Sequence, residues 1–529
     1  MKKLIVLFCF VIFITTLFAI PFLKPIKISV DKDTSSNLYQ DNESGACLAK
    51  LYCGSCHLFP SPSLLDQTTW KNKVLPNMAW RLGIRAGYAS PYIDMDSSEA
   101  ILVKGLNVYP NSPKISISQW KKIFNFYISN APKVPTSIEF LPLIQKRVTQ
   151  FITQPIFIEE KELPNTTMIK FDTSHSLLYV GDARGEVYAL NSRLKLEKKW
   201  ILPSAPVDMN FQSANPDVLC VGSVAPSEKK EGVSISLDSS IKFSKLARPV
   251  AMESADLNAD GKLDLIICEF GNHTGKLAWY DGGDRLKENI LITRPGARRV
   301  EIADLNKDGK LDIIVMLTQA QEGVYYFENL GKNKFKETVL INFPPIYGLS
   351  YFELTDFNKD GHLDILLTNG DNWDLSRVKK NFHGVRIFMN NGSNQFAQTF
   401  FFPLYGTSKA LARDFDDDGD LDIAAISFYD DLDQPEQGFV YLKNNGNSNF
   451  EASTTPAAAN GKWLTMEASD IDKDGDIDIV LGSFIYSIAE MMSLINRGVD
   501  HFPQLLLLTN IKKEQKNCHF LKKTMHQPL

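Results

Sequence analysis

An acidic nine-residue segment that recurs five times constrains this chain more than any other feature. The first copy runs from Asp256 to Asp264 with the sequence DLNADGKLD, and the other copies begin at Asp304, Asp356, Asp414 and Asp470. The first aspartates are 48, 52, 58 and 56 residues apart, and each copy leads into an apolar run. A repeat of this period is typical of a blade or solenoid unit.

The polar residues of the segment have the chemistry of a calcium loop. Positions 1, 3, 5 and 9 are Asp or Asn in every copy, and Ca²⁺ takes six to eight oxygen ligands. Position 7 offers its main-chain carbonyl, and position 6 is always glycine, as a sharp bend requires. An EF-hand would need glutamate at position 12, which here lies in the apolar run. The predicted ligands are Asp256, Asn258, Asp260, Lys262 and Asp264; Asp304, Asn306, Asp308, Lys310 and Asp312; Asp356, Asn358, Asp360, His362 and Asp364; Asp414, Asp416, Asp418, Asp420 and Asp422; and Asp470, Asp472, Asp474, Asp476 and Asp478.

Clusters of Asp, Asn and Gly also occur in ordinary turns. Five aligned copies, each followed by the same apolar run, favour metal binding over this alternative. The expected role of the metal is structural, because the packed acidic groups repel one another without a cation.

The pattern D-x-[ND]-x-D-G-x-x-D-[IL] resembles the FG-GAP/VCBS-type repeat of integrin-like β-propellers, over roughly Pro206 to Asn510. The resemblance implies a mainly β fold, a radial propeller with four-stranded blades. Two blades without calcium loops and five with them give seven, with six or eight as alternatives. How the last blade closes the ring stays open at this stage, because the Asn-x-Gly turn of the other blades is missing after Asn510.

A second motif, Cys53-Gly54-Ser55-Cys56-His57, predicts a covalently attached c-type haem. Two thiols three residues apart can bond both vinyl groups, and the next residue places an imidazole under the iron. The alternatives are a thioredoxin-like pair, which should lie near a βαβ pattern, and a zinc half-site, which needs two more ligands. No βαβ pattern is visible, and the next Cys or His after His57 is His175.

The surroundings of this motif predict a small all-α domain. Residues 43–57 have apolar side chains at helical spacing, and Ser116 with Gln119 forms a capping box that opens an aromatic helix. This helix resembles the terminal helix of class I c-type cytochromes. Methionine is the expected sixth iron ligand: Met78 is the first choice and Met95 the alternative, and either could instead fill the core.

The N-terminus predicts export. Met1-Lys2-Lys3 precedes an apolar run from Leu4 to Ile20, which reads as a signal peptide or a retained membrane anchor. The expected location is the periplasm or the cell surface. The net charge of −5 argues against a nucleic-acid partner.

These observations divide the chain into six segments. They are a signal peptide or anchor (1–23), a tether (24–42), a cytochrome c-like domain (43–133), a linker (134–153), the propeller (154–510) and a tail (511–529).

The two motifs together predict an exported electron-transfer protein, in which a mono-haem cytochrome c is fused to a calcium-binding propeller. Its partner would be a redox protein or a small-molecule electron donor. One alternative is a quinone-dependent sugar or alcohol dehydrogenase, since the hairpin Leu177–Leu190 resembles a repeat of pyrroloquinoline-quinone enzymes. Another is an adhesion or glycan-binding module, with a glycan or protein ligand on propeller loops. Loop candidates for ligand contacts are Asp371, Asn372, Trp373, Asp374, Asp430, Asp431 and Asp433, which could equally be solvated turns.

Overall fold

The computed structural model describes residues 43–512, except for 86, 137–141, 160–162, 214, 285, 372–377 and 430. The segments assigned to a signal or anchor (1–23) and a tether (24–42), and the tail from residue 513 onward, lie outside the described residues. Within the described part of the chain, no helix is both long enough and apolar enough to cross a membrane.

In the described residues, twenty-nine strands form seven sheets, and each sheet has one antiparallel meander of consecutive strands at its centre. Five sheets each consist of four strands that are consecutive in the chain. They are β3 (Thr166–Asp172), β4 (Leu177–Asp182), β5 (Glu186–Leu190) and β6 (Leu196–Ile201); β7 (Pro206–Asn210), β8 (Asp217–Cys220), β9 (Gly232–Ser236) and β10 (Ile241–Leu246); β11 (Pro249–Ala255), β12 (Asp264–Glu269), β13 (Lys276–Asp281) and β14 (Lys287–Ile292); β15 (Ala297–Ala303), β16 (Asp312–Leu317), β17 (Gly323–Asn329) and β18 (Phe335–Asn342); and β19 (Leu349–Thr355), β20 (Asp364–Asn369), β21 (Gly384–Asn390) and β22 (Phe396–Pro403).

Each of the other two sheets also contains one strand that precedes the first meander in the chain. The sixth contains β23 (Thr407–Arg413), β24 (Asp422–Ser427), β25 (Phe439–Asn444), β26 (Phe450–Ser453) and the short parallel strand β1 (Ile144–Gln145). The seventh contains β27 (Trp463–Ser469), β28 (Asp478–Ser483), β29 (Leu505–Asn510) and the outer strand β2 (Phe151–Ile156).

The seven sheets are arranged as the blades of a ring. The first strand of each meander contacts the first strand of the next, and β27 of the last blade contacts β3 of the first. All five acidic loops connect the first and second strands of a blade, and the second strand begins at loop position 9 each time. The predicted seven-bladed propeller is therefore confirmed.

Strand β2 closes the ring, and this corrects the predicted linker. Residues 134–153 are assigned to a linker in the sequence, but both β1 and the start of β2 lie in this segment. β2 pairs antiparallel with β29 from Phe151 opposite Asn510 to Ile156 opposite Leu505. Pro155 is tolerated there because β2 is the outer strand of its sheet.

Replacing Phe151 by alanine should cost about 3–5 kcal/mol of stability. Its ring is 5% exposed and lies edge-on to Phe415 (5.7 Å) and Tyr441 (5.3 Å) of the neighbouring blade. The matched control is Ile152→Ala on the same strand, where the side chain is 57% exposed, and we expect a change within about 0.5 kcal/mol. Denaturant unfolding checks both, and equal costs would contradict closure of the ring by this strand.

The described residues before the propeller form a helical unit. Its helices are α1 (Gly45–Cys53), α2 (Gln67–Thr69), which continues through a π turn (Trp70–Val74) into α3 (Leu75–Arg81), α4 (Ser97–Gly105) and α5 (Ile117–Asn130); a sixth, α6 (Ile488–Asn496), lies in the last blade. The predicted capping box of Ser116 and Gln119 opens α5. Helices α1 and α5 pack closely, since a Cβ at Gly45 would lie 2.2 Å from Lys122 O.

The helical unit is docked on the face of the propeller opposite to the acidic loops. Glu99 Oε1 accepts the N–H of Glu228 (2.8 Å), and Tyr109 OH lies 3.2 Å from His273 Nε2. Phe382 belongs to the same apolar cluster as the helices. These propeller residues lie between second and third strands, whereas the acidic loops lie between first and second strands, at the other end of each sheet.

Candidate haem and calcium sites

The C-x-x-C-H motif occupies the end of α1 and the turn that follows it. Cys53 is the last residue of α1 and is buried, and the chain turns at Gly54, whose N–H donates to Lys50 O (3.1 Å). Cys56 lies three residues further on and is exposed. Both thiols are free, so both are available for thioether bonds.

One ring nitrogen of His57 is held by the main chain. Its Nδ1 lies 3.0 Å from Leu58 O. A proton on Nδ1 donated to this carbonyl leaves the lone pair of Nε2 for a metal. Burial lowers the pKa of His57, which favours the neutral imidazole that binds iron.

The chemistry around the motif is compatible with an apolar macrocycle. Leu51 and Leu58, on either side of the cysteines, are 53% and 44% exposed, and apolar side chains at such a site gain stability when a ligand covers them. Tyr127 of α5 fixes the turn by donating a hydrogen bond to Pro60 O (3.0 Å). Burial raises the pKa of the Cys53 thiol to about 11. These residues fit a c-type haem.

The two candidate sixth ligands differ in their surroundings. Met78 lies on α3 and packs, half buried, against the apolar cluster that contains Cys53. Met95 lies in the turn before α4, where its N–H donates to Tyr92 O (3.2 Å), and it is not part of that cluster. The packing therefore favours Met78, although the ligation itself stays a prediction.

The acidic loops share one hydrogen-bond pattern that turns their side chains inward. In the second loop, the carboxylate of Asp304 accepts the N–H groups of Asp308 (3.0 Å) and Gly309 (2.8 Å). Asn306 Oδ1 also accepts the N–H of Asp308 (3.1 Å), and Asp308 Oδ1 accepts the N–H of Lys310 (3.0 Å). The first and third loops repeat these bonds. Positions 1, 3 and 5 are thus gathered around one backbone bend.

The bend needs left-handed backbone at two positions. The glycine at position 6 has φ between +82° and +96° in all five loops, as the sequence predicts. Position 4 has φ between +55° and +67° although it is never glycine. A non-glycine residue in this region is strained, and the same strained position recurs in every calcium-like loop.

The aspartate at position 9 anchors each loop to its blade. Asp312, for example, accepts the N–H of Leu305 from its own loop (3.1 Å) and the N–H of Asn329 from the third strand (2.8 Å). All five are at most 1% exposed, and burial raises the pKa of each, to about 6 for Asp422 and about 7 for Asp478. Asp312 Oδ2 also accepts a hydrogen bond from Tyr326 OH (2.9 Å), and the role of position 9 as a metal ligand stays a prediction.

Two loops gather three carboxylates around one point. The ligand oxygens of Asp414, Asp416 and Asp418 lie within 4.8 Å of one another, and so do those of Asp470, Asp472 and Asp474. One oxygen of Asp416 and one of Asp470 are buried without a hydrogen-bond partner. A cation would satisfy such oxygens.

Lysines already neutralise part of the charge in two loops. Lys443 pairs with Asp416, and Lys310 Nζ lies 2.5 Å from Asp308 Oδ2. The predicted main-chain ligands at position 7, which are Lys262, Lys310, His362, Asp420 and Asp476, stay predictions, as do the other loop ligands.

The sequence analysis missed the asparagine that ends the third strand in four blades. Asn329 donates from its side chain to Leu311 O (2.9 Å), while its main-chain N–H bonds position 9 of the loop. The equivalents, which repeat both bonds, are Asn390, Asn444 and Asn510. Their signal was their fixed place as the first residue of the Asn-x-Gly turn in three of these blades. Asn510 keeps this role in the last blade even though the turn after it is missing.

The long-loop candidates have separate outcomes. Asp371 pairs with Arg298 (2.7 Å), and Asp431 pairs with Lys379. Asp433 is exposed, with its carboxylate 3.9 Å from the same lysine. Asn372, Trp373, Asp374 and Asp430 lie outside the described residues.

Comparison with known protein families supports the repeat. The model of the FG-GAP-like repeat family matches residues 256–315 and 414–481. Among solved structures, the chain is similar to the Neurospora crassa Pan2 WD40 domain (10% identity, TM-score 0.43, covering 69% of this chain and 96% of that one). It is also similar to Kuenenia stuttgartiensis hydrazine synthase (12% identity, TM-score 0.41, 62% and 94%) and to BBS1N in complex with ARL6DN (9% identity, TM-score 0.42, 69% and 98%). The chain thus carries FG-GAP-like repeats on a seven-bladed β-propeller.

Proposed function

We propose that this protein is an exported electron-transfer protein, in which a mono-haem c-type cytochrome unit is carried by a calcium-stabilised propeller. The observation that carries the proposal is the pair of free thiols, Cys53 and Cys56, followed by an imidazole whose Nδ1 is fixed by Leu58 O. No other chemistry suggested by the sequence uses all three groups.

The residues of the helical unit would each have a defined part. Cys53 and Cys56 would hold the haem covalently, and His57 with Met78 would bind its iron. When bound, the haem supplies reversible one-electron transfer, with a potential that methionine ligation raises. The half-buried Met78 and the apolar side chains around it would keep water from one side of the group.

The exposed surface beside the motif is where a redox partner would approach. Cys56 is exposed, and Leu51 and Leu58 remain accessible next to it. A propeller loop approaches the edge of this surface, since Gln321 Nε2 lies 3.5 Å from Cys56 O. Electrons would therefore enter or leave at this surface, with a redox protein or a small donor as the partner.

The first test is a visible spectrum with a redox titration, on full-length protein made in a host with a haem-attachment system, with and without a calcium chelator. We expect c-type haem bands in both samples and one reduction midpoint. Protein without these bands would contradict the proposal.

Replacing Met78 by alanine should lower the reduction potential by on the order of 0.1 V, because methionine ligation favours the reduced iron. The matched control is Met95→Ala, which should leave the midpoint within experimental error. A redox titration of both variants decides between them. The reverse outcome would identify Met95 as the ligand, and no shift in either would exclude both.

A second candidate is a quinone-dependent dehydrogenase that reduces its own haem. The observation that favours it is topological: the helical unit and the mouth of the central channel share one face of the propeller. Pyrroloquinoline quinone, added with sugars or alcohols, should then bind and reduce the haem. If pyrroloquinoline quinone neither binds nor gives haem reduction in protein with a normal haem spectrum, the dehydrogenase is excluded. The electron-transfer proposal is unaffected by that result.

A further inference from the structure

A cavity of about 420 Å³ lies at the mouth of the central channel, within the size range of small-molecule sites. Its wall is formed by the first strands of all seven blades and by the loops after several second strands. It opens on the face where the helical unit docks, away from the acidic loops. Each blade contributes only a few residues, so no single repeat encodes it.

The described part of its wall is rich in cationic side chains. It contains five of them, which are Lys170, Arg248, Arg298, Arg299 and Lys409, and two carboxylates, Asp208 and Asp371. The formal difference is three positive charges, whereas the whole chain has a net charge of −5. A positive cavity in an acidic protein favours an anionic ligand.

Both carboxylates of the wall form ion pairs with cations of the wall. Lys170 Nζ lies 2.7 Å from Asp208 Oδ1, and Arg298 Nη1 lies 2.7 Å from Asp371 Oδ2. Arg299 pairs with Glu301, one step further into the channel. The excess positive charge of the wall therefore comes from Arg248 and Lys409.

Lys409 is the cation with capacity for a further partner. Its ammonium donates to Met466 O (2.6 Å) and makes no ion pair with any residue that the structure describes. An ammonium has three donors. Burial lowers the pKa of Lys409 to about 8; Glu467 and Glu353 oppose this shift, whereas Arg299 and Lys170 act in the same direction as burial. An anion beside this group would offset the cost of its burial.

Tyr351 joins the two central cations. Its ring lies between them, with Arg299 Cζ at 4.4 Å and Lys409 Nζ at 5.1 Å from the ring centroid. These contacts are within cation–π range and hold both groups in place. Because Arg299 already pairs with Glu301, the Lys409 ammonium is the group of this pair that can donate to a carboxylate.

The channel below this seat is acidic and sets how far a ligand can enter. Glu301, Glu353 and Glu467 follow Arg299, Tyr351 and Thr465 by two residues on the first strands of their blades. Residues two apart share a strand face, so the Cα atoms of these glutamates lie about 7 Å deeper. An anion would be held at the level of Lys409 and repelled below it.

The rim of the cavity has the opposite character, because it is aromatic. Phe270, Phe428, Tyr429, Phe484 and Tyr486 contribute to the wall from the loops after the second strands. Such side chains bind an apolar or planar body by area burial and ring contacts. The wall is thus cationic inside and aromatic outside.

We propose that this cavity binds a small organic acid, with its carboxylate at the Lys409 ammonium and its apolar body against the aromatic rim. The site goes beyond the proposed electron transfer, and it stands whether or not haem is attached. Nothing in it requires calcium or haem as a ligand.

Calorimetric titration of the full chain with 2-naphthoate tests the proposal, with 2-naphthamide as the uncharged isostere. We expect the acid to bind at least tenfold more tightly than the amide, and Lys409→Met to weaken its binding about tenfold or more. The control is Lys336→Met, an exposed lysine on an outer strand that pairs with Glu328 (3.2 Å); it should bind the acid as the unmodified chain does.

Two further measurements keep the test decisive. Circular dichroism melts show whether Lys409→Met is folded; if it is not, the acid–amide comparison on the unmodified chain decides. 2-Naphthyl phosphate distinguishes the anion, and tighter binding of the phosphate than of the carboxylate would overturn the assignment to organic acids. Equal binding of acid and amide, or no binding of either at millimolar concentration, would overturn the site itself. Because these readouts do not involve the haem spectrum, they fail independently of the proposed electron transfer.

Discussion

Protein in which Cys53 and Cys56 are both replaced by serine should contain no covalently bound haem. Serine cannot form the thioether bonds that attach the porphyrin, and non-covalent haem is removed by denaturation. We therefore expect complete loss of haem staining on a denaturing gel and a mass without the added haem. The double variant and the unmodified protein are expressed with the same haem-attachment system, and both are measured.

The matched control is Cys47→Ser. Cys47 lies on the same helix and is exposed, but it is outside the motif, so this variant should keep its full haem content. Because Cys53 is buried, the double variant also needs a folding control. The far-ultraviolet circular dichroism of the propeller should be unchanged, since the blade strands pack in apolar clusters that do not contain Cys53. Haem retained in the double variant, or absent from the unmodified protein, would contradict the haem prediction.

The features that the sequence predicts well are encoded locally. The acidic loops, their glycines and the strands that begin at position 9 each depend on nine consecutive residues and their immediate neighbours. The capping box of α5 depends on four. Local hydrogen bonds decide these structures, so pattern and spacing are sufficient to predict them.

Ring closure depended on pairing that local patterns do not encode. Phe151 and Asn510 are paired across the whole propeller, and nothing near Phe151 marks it as a blade strand. The segment before it contains Pro135 and Pro142, which favour a linker assignment. The boundary of the propeller was therefore placed too late in the chain.

The cavity was missed for the same physical reason. Arg299, Tyr351 and Lys409 occupy equivalent positions on the first strands of three successive blades. Each looks like an ordinary strand residue in its own repeat. Only the circular arrangement brings their side chains together, so the chemistry of the site exists at the level of the ring and not of the repeat.

Removing calcium should have the second large effect, because it acts on five loops at once. If each loop binds with a Kd of ~0.1 mM and the medium contains ~1 mM Ca²⁺, binding contributes roughly 1.4 kcal/mol per loop. Five loops give about 7 kcal/mol, which is comparable to the stability of a whole domain. A chelator should then lower the unfolding midpoint of the propeller by about 10 °C.

The loops should not bind equally, because their charges differ. The fourth and fifth loops have aspartate at positions 1, 3, 5, 7 and 9, whereas the first three have asparagine at position 3 and lysine or histidine at position 7. More carboxylates raise the affinity for Ca²⁺. In the fourth loop, however, Lys443 already pairs with Asp416. The fifth loop, Asp470–Asp478, should therefore bind most tightly.

Replacing Asp474 by alanine should remove this tightest site and leave the other four. Asp474 is one of the three clustered carboxylates, and its loss leaves the unpartnered oxygen of Asp470 with weaker calcium binding. Equilibrium dialysis should give five bound ions for the unmodified chain and four for the variant, with the highest-affinity step missing. Asp433→Ala, which removes an aspartate that is 91% exposed and outside the loops, should keep all five. If chelation leaves the unfolding midpoint unchanged, or if the variant keeps its tightest step, these loops are stabilised by their own hydrogen bonds and not by calcium.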